Sequence, residues 1–230
     1  MLIIDSKMRD IEKEKLKSIG YELYEIYPNP NLYFEISSHV DIHCVKINNF
    51  IIGDKNLDFK NINYGNSILK NSYPLDIPYN ICIVGNFAIH NFKYTDTKIL
   101  EILEKENFIK INLNQGYSKC SIAVIDNNSV IVTDTTIAQI LKKYNFNVLL
   151  LPESITKNIH LYKNSNLEYS NMHGFIGGCI SRIDNYIFIS GDLNKIDFDN
   201  KIKTFIEERN LKIIDFPNLD IVDYGGILKI

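Results

Sequence analysis

The chain has 230 residues, 45% of them hydrophobic and 23% charged, with a formal net charge of −3. That balance is ordinary for a globular protein. With only three arginines (Arg9, Arg182, Arg209) it excludes a nucleic-acid-binding footprint, because phosphate and base contacts draw on basic patches rich in Arg.

In chain order, residues 2–4 read as a short apolar strand, and Ser6 is placed to cap a helix over 7–19 that stops at Gly20. Glycine after a last helical turn accepts the left-handed conformation, and Asn is its usual substitute. The same punctuation returns as Asn107-Phe108, Asn145-Phe146 and Asn210-Leu211, each followed by an apolar strand. After a strand over 21–27, HVDIHCVKINNFIIGD (residues 39–54) reads as a hairpin about Asn48-Asn49. Residues 55–79 show no helical periodicity, and Pro74 and Pro78 break them further. A further hairpin centres on Gly85-Asn86. Residues 116–153 then read as strand, polar turn, strand, helix and strand. A polar connection over 154–173 has the length of a functional cover. GFIGGCISRIDNYIFISGD follows, then a helix over 199–209, a strand over 212–216, and a final strand in IVDYGGILKI.

These segments repeat. TDTKILEILEKENFIKINL, from Thr95, matches TDTTIAQILKKYNFNVLLL, from Thr133, at an offset of 38 residues, and Cys82 and Cys120 differ by the same 38. Ile125-Asp126-Asn127 and Asp134 match Ile183-Asp184-Asn185 and Asp192 at 58 residues. The terminal strand has no helix or strand after it, and residues 6–27 supply both, so joining the two ends makes a fifth unit. No Pro/Gly/Ser-rich linker divides the chain, and residues 1–230 are expected to form one domain.

Five strand-strand-helix-strand units closed by the termini resemble the pentein fold. The resemblance implies an α/β architecture, a pentein-like five-bladed α/β propeller of ββαβ units closed by pairing of the N- and C-termini. That fold serves arginine and agmatine deiminases, dimethylarginine hydrolases, amidinotransferases and a ribosome anti-association initiation factor. NLYFEISSHVDI, GNFAIHNFKYTD, QGYSKCS, GFIGG and VDYGGIL resemble an uncharacterised domain family of clostridial bacteria, which implies no activity. Pro30-Asn31-Leu32-Tyr33-Phe34 matches an arginine deiminase motif, but Ser37 stands where the guanidinium-binding Asp belongs, and Asp41 reaches that place only across a four-residue insertion. The deiminase His motif falls on Tyr117-Ser118-Lys119, and no Cys follows Gly225-Gly226. Deiminase chemistry needs a thiolate and a proton-shuttling His. Both are missing from those places, so ordinary deiminase activity is not expected.

Strand alternation sorts the polar candidates into faces. It sets Ser118, Cys120, Ile122 and Val124 against the helix stripe of Ile137, Ile140, Leu141 and Tyr144, and turns Tyr117 and Lys119 toward the axis. In the first hairpin it turns His39, Asp41 and His43 toward the axis and Cys44 away from it. On this reading Cys44 and Cys120 are structural thiols, and Cys179, beside Gly177 and Gly178, is the better candidate nucleophile. His39-x-Asp41-x-His43 suggests a metal site, but the outer pair on an extended strand would stand about 13 Å apart, too far for one ion with bonds of about 2.1 Å. No metal or cofactor is expected. Asp134 and Asp192 are read as capping backbone amides. His39, Asp41, His43, Tyr117, Lys119 and Asp223 are therefore the expected ligand-binding residues. Asp41 would receive a cationic or guanidino group, and Lys119 a carboxylate. The expected function is binding, with or without conversion, of a small polar metabolite that is amino-acid-like or guanidino-like. The rival is a non-catalytic interaction module like the ribosome-binding pentein. The sequence contains no membrane span of ~18 apolar residues and no secretory leader pattern. Four cysteines without CxxC spacing fit reduced thiols. Both point to a cytoplasmic setting with neither membrane nor nucleic acid as partner.

Overall fold

The computed structural model describes residues 1–162 and 172–230. The ends of the chain meet. Strand β1 (Leu2–Asp5), helix α1 (Asp10–Ser18) and strand β2 (Leu23–Ile26) form the first crossover. A single-turn helix α2 (Val40–His43) runs into β3 (Cys44–Ile47), followed by β4 (Phe50–Gly53) and β5 (Ile62–Tyr64). Next come β6 (Cys82–Val84), β7 (Phe87–His90), α3 (Thr97–Lys105) and β8 (Ile109–Asn112). A second single turn, α4 (Ser118–Ser121), leads into β9 (Ile122–Val124), β10 (Ser129–Val132), α5 (Thr135–Lys143) and β11 (Asn147–Leu150). After the short β12 (Ile159–His160), a third single turn, α6 (Ile176–Cys179), leads into β13 (Ile180–Ile183), β14 (Tyr186–Ile189), α7 (Lys201–Glu207) and β15 (Lys212–Ile214). Strands β16 (Ile221–Val222) and β17 (Leu228–Lys229) end the chain.

Among the described residues the strands form five three-stranded sheets, β17-β1-β2, β3-β4-β5, β6-β7-β8, β9-β10-β11 and β13-β14-β15, plus the pair β12-β16. In all five the first two strands are antiparallel and the third is parallel to the second. Leu2 pairs with Lys229 and Ile3 with Leu228, so the two ends share one sheet. The crossover from β4 to β5 lacks a helix, as the sequence of 55–79 suggests.

Left-handed corners are made largely by asparagine. Asn48, Asn61, Asn107, Asn145, Asn200, Asn210 and Asn218 have positive φ, joined by Asp184 and by glycines such as Gly20. Asn tolerates this region because its short amide bonds locally to the backbone. Helices α3 and α5 begin on Asp96 and Asp134, whose carboxylates accept from Lys98 N and Ile137 N at 2.8 Å. Asp192 accepts from Asn194 N at 3.0 Å and Asn218 N at 2.8 Å, as expected for a capping residue.

Four expectations need correction. Helix α1 starts at Asp10 rather than near Ser6, because Glu12 Oε2 reaches back to accept Arg9 N at 3.2 Å. Helix α7 is shorter than residues 199–209. Tyr144 is 40% exposed and lies edge-on to Phe87, leaving Ile137, Ala138 and Leu141 as the buried stripe of α5. Most consequentially, residues 40–43, 118–121 and 176–179 are helical turns, not the beginnings of strands. Period-two alternation does not apply inside a helical turn. Of the 154–173 connection, 163–171 lie outside the described residues. Among the described residues no helix is long and apolar enough to cross a membrane.

Candidate functional site

One strand from each of the five sheets (β3, β6, β9, β13 and β17) lines a cavity of about 260 Å³. Its middle is aliphatic, with Val45, Ile81, Ile83, Val124, Ile180 and Leu228 on the wall. Lys46, Arg182 and Lys229 also line it, and each is half-buried or exposed. At the opposite end stand Asp41 and Gly225, both buried, and Lys119, which is half-buried.

The single-turn helices set the chemistry of that buried end. Helix α2 holds Asp41, whose backbone N donates to Gly225 O at 3.1 Å. Cys120, on α4, donates its thiol proton to Asp41 Oδ2 at 3.0 Å. Asn80 joins the two elements. Its Nδ2 donates to Asp41 O at 3.2 Å and Cys120 Sγ at 3.1 Å, and its Oδ1 accepts Lys119 N at 2.9 Å. Lys119 Nζ in turn donates to Gly177 O on α6 at 2.8 Å. Asp41 Oδ1 is buried and accepts no hydrogen bond among the described residues. Burial pushes the Asp41 carboxyl up to about 6 against the opposing pull of Lys119.

Behind this pair lies a second carboxyl. Asp223 accepts from Phe175 N and Gly225 N, both at 2.8 Å. Burial first, and the Asp41 charge second, push it up to about 7. A Cβ on Gly178 would fall 1.7 Å from Asp223 Oδ1, so only glycine fits beside that carboxyl. Gly225 is equally constrained. It has φ +67°, and a Cβ there would lie 2.7 Å from Asp41 Oδ1 and 2.5 Å from His39 Cβ. His39 Nδ1 stands 3.7 Å from Asp223 Oδ1 and its Nε2 4.0 Å from Asp5 Oδ2, without a hydrogen bond at either nitrogen among the described residues. Burial holds this imidazole well below its usual pKa, in its neutral form.

Of the residues expected at the site, His39, Asp41 and Asp223 gather around Gly225, with Lys119 Nζ beside Gly226, and of these Asp41 and Lys119 line the cavity. His43 turns to Asp54 and to Ser37 O, the latter at 2.7 Å, so both ring nitrogens are engaged. Tyr117 donates to Asp76 and stacks on Phe175 with ring centroids 6.1 Å apart. Cys179 is buried and donates to Ile176 O at 3.4 Å, and burial drives its thiol well up in pKa, which favours the protonated form over a nucleophilic thiolate. Cys120, expected to pack against the α5 stripe, touches Asp41 instead, and Asp41 is only 4% exposed. Cys44, expected to face away from the axis, lines the cavity. Asp41, His43, Cys120 and Cys179 lie on the one-turn helices, where strand parity does not apply. Among the described residues no group of His, Cys, Asp and Glu could hold a metal ion.

Sequence reasoning missed Asn80. The 38-residue offset sets Asn80 opposite Ser118, immediately before Lys119 and Cys120, and is the signal that could have found it. Cys120→Ala leaves the Asp41 and Asn80 side chains short of a partner and is expected to cost about 1–3 kcal/mol. Cys120→Ser keeps a donor and should cost less. Denaturant melts rank the two, and the reverse order would make the sulfur a packing atom rather than a donor.

A sequence model described as a family of unknown function (DUF6873) matches residues 3–228. No curated protein matches the chain. The chain is similar in structure to a dimethylarginine dimethylaminohydrolase adduct with 4-chloro-2-hydroxymethylpyridine, with TM-score 0.57 and 11% identity over 94% of this chain and 91% of that one. It is also similar to the same enzyme from Pseudomonas aeruginosa, a cysteine-to-serine mutant complexed with citrulline, with TM-score 0.57, 9% identity and the same coverages. The likeness shows a mixed α/β fold of small sheets of the pentein type.

Proposed function

We propose a function from the cavity itself, because the chain belongs to the family of unknown function (DUF6873): it binds a small, amino-acid-like polar metabolite. We read the five sheets as the blades of a single pentein-like propeller over residues 1–230, closed where β1 meets β17, with the cavity on its axis. The observation that carries the function is the pair at the buried end. Asp41, whose buried Oδ1 has no donor among the described residues, and the Lys119 ammonium both line a cavity large enough for a metabolite. A buried acceptor left open costs about 1–3 kcal/mol, which a ligand ammonium would recover. Asp41 would take the ligand's ammonium or guanidino group and Lys119 its carboxylate. Ordinary deiminase chemistry is not part of the reading. Burial drives the Cys120 and Cys179 thiols well up in pKa, and His39 makes no hydrogen bond to either among the described residues. The rival interaction-module reading has no observation of its own in its favour.

A thermal-shift screen with amino acids and guanidino compounds tests this. A ligand at 100 times its dissociation constant adds about 2.7 kcal/mol to stability, so a hit raises the melting temperature by several degrees. Asp41→Asn is expected to abolish the shift. A wild-type melt unmoved by every compound, or an Asp41→Asn protein that responds as fully as the wild type, would sink the reading.

A further inference from the structure

We infer that the ligand is an α-amino acid whose side chain is an aliphatic stem ending in a second carboxylate, bound head-inward; the inference rests on the cavity reading just given. Three observations along the cavity lead to it.

The buried end is dipolar. It offers one acceptor, Asp41 Oδ1, and one ammonium, Lys119, which carries three protons, one of them directed to Gly177 O. A lone amine or a lone acid would satisfy one partner and face a like charge in the other. An α-ammonium beside an α-carboxylate satisfies both.

The middle offers a stem mostly aliphatic wall, from Val45, Ile81, Ile83, Val124, Ile180 and Leu228, and the one hydroxyl there, Ser181 Oγ, already accepts from Ile227 N at 2.9 Å. Its depth follows from the strands. Cys44 to Lys46 and Ile180 to Arg182 are each two residues, or about 6.6 Å of strand. That is the reach of about five staggered carbon–carbon bonds of ~1.5 Å. A stem of three or four methylenes spans it.

The outer lining is cationic. Lys46, Arg182 and Lys229 all line the cavity, and among the described residues no carboxylate lines it besides Asp41. Arg182 spends its bonds on neutral acceptors, from Nε to Asp184 O and from Nη1 to Ile125 O, both at 3.0 Å. Lys46 likewise donates to Lys229 O at 3.2 Å. The exposed Asp184 carboxylate makes its ion pair with Lys229, and the Arg182 charge also acts on it. Neither Arg182 nor Lys46 makes an ion pair among the described residues, which leaves both available to an incoming anion. A guanidino or ammonium tail would meet like charge here, whereas a carboxylate tail meets its complement.

Calorimetric titration of the full chain with glutamate, 2-aminoadipate, 2-aminopimelate, norleucine, lysine and arginine tests each part. 2-Aminoadipate or 2-aminopimelate is expected to bind at least tenfold more tightly than norleucine, which has the stem without the tail, and than glutamate, which has the tail on too short a stem. Lysine and arginine should bind more weakly than norleucine. Arg182→Met should shrink the preference for 2-aminopimelate over norleucine at least fivefold. Norleucine binding as tightly as the diacids, or arginine or lysine binding more tightly than they do, overturns the inference and leaves the cavity reading standing. If none of the six binds, both fall together.

Discussion

A chain truncated before Ile221 is expected to show no cooperative thermal transition. The lost segment carries β16 and β17, so β12 loses its strand partner and β1 its antiparallel neighbour. Val222 and Tyr224 leave a cluster that also holds Leu2, Ile4, Met8 and Leu16. Tyr224 is 1% exposed and its hydroxyl donates to the buried Glu12 at 3.1 Å, so the cut also strips a partner from a carboxylate inside the protein. Asp223 goes too, leaving Phe175 N without its acceptor. Each large apolar side chain removed from the core is worth about 1.5–3 kcal/mol. Several together match the whole stability of a typical domain, about 5–15 kcal/mol. Circular dichroism melts of the full and cut chains decide it. A cut chain that keeps a single sharp transition near the full-length melting temperature would show that pairing between the ends is dispensable.

The second large effect is a pH dependence that belongs to Asp223. Its carboxyl is pushed up to about 7 in the folded protein, against about 3.9 for an unfolded Asp. Between those values the folded chain holds a proton that the unfolded chain has released. Asp223 therefore contributes its full stabilisation below about pH 4, and that contribution is lost as the pH rises through 7. Asp41, pushed up to about 6, acts in the same direction as Asp223, whereas His39 and His90 act in the opposite direction below pH 6.5, since burial pushes His39 well down and His90 to about 4. The net wild-type curve thus conceals the effect, and the difference between two proteins reveals it. Asp223→Asn cannot titrate, so its stability relative to wild type should rise by on the order of 4 kcal/mol from pH 4 to pH 8. Urea melts of both proteins at several pH values measure this directly. A difference that stays flat with pH would mean that Asp223 is ionised in the fold throughout.

Much of this architecture was legible because it rests on local chemistry. The corners at Asn107, Asn145 and Asn210, the two-residue turns at Asn48-Asn49 and Gly85-Asn86, and the caps at Asp134 and Asp192 each follow from one residue's own backbone preference. The site was harder to read because three four-residue helices precede β3, β9 and β13. One turn of helix is too short to carry a 3.6-residue period, and HVDIHCVKI and YSKCSIAV read equally well as alternating strands. Candidate residues could be named from the sequence, but not which of them face one another. Asp41 meets Cys120 across 79 residues of chain, a contact that no local pattern encodes.

The asparagine corners also determine how this protein ages. Carboxamides are thermolabile, and seven of them occupy left-handed positions among the described residues. Where direct hydrolysis turns Asn into Asp, the other side chain that tolerates this backbone region, the corner keeps its backbone. Converting all seven would add seven negative charges to the formal −3, giving −10, with the turns still intact. Wear would then be seen as a ladder of increasingly acidic charge variants in isoelectric focusing while the melting curve barely moves.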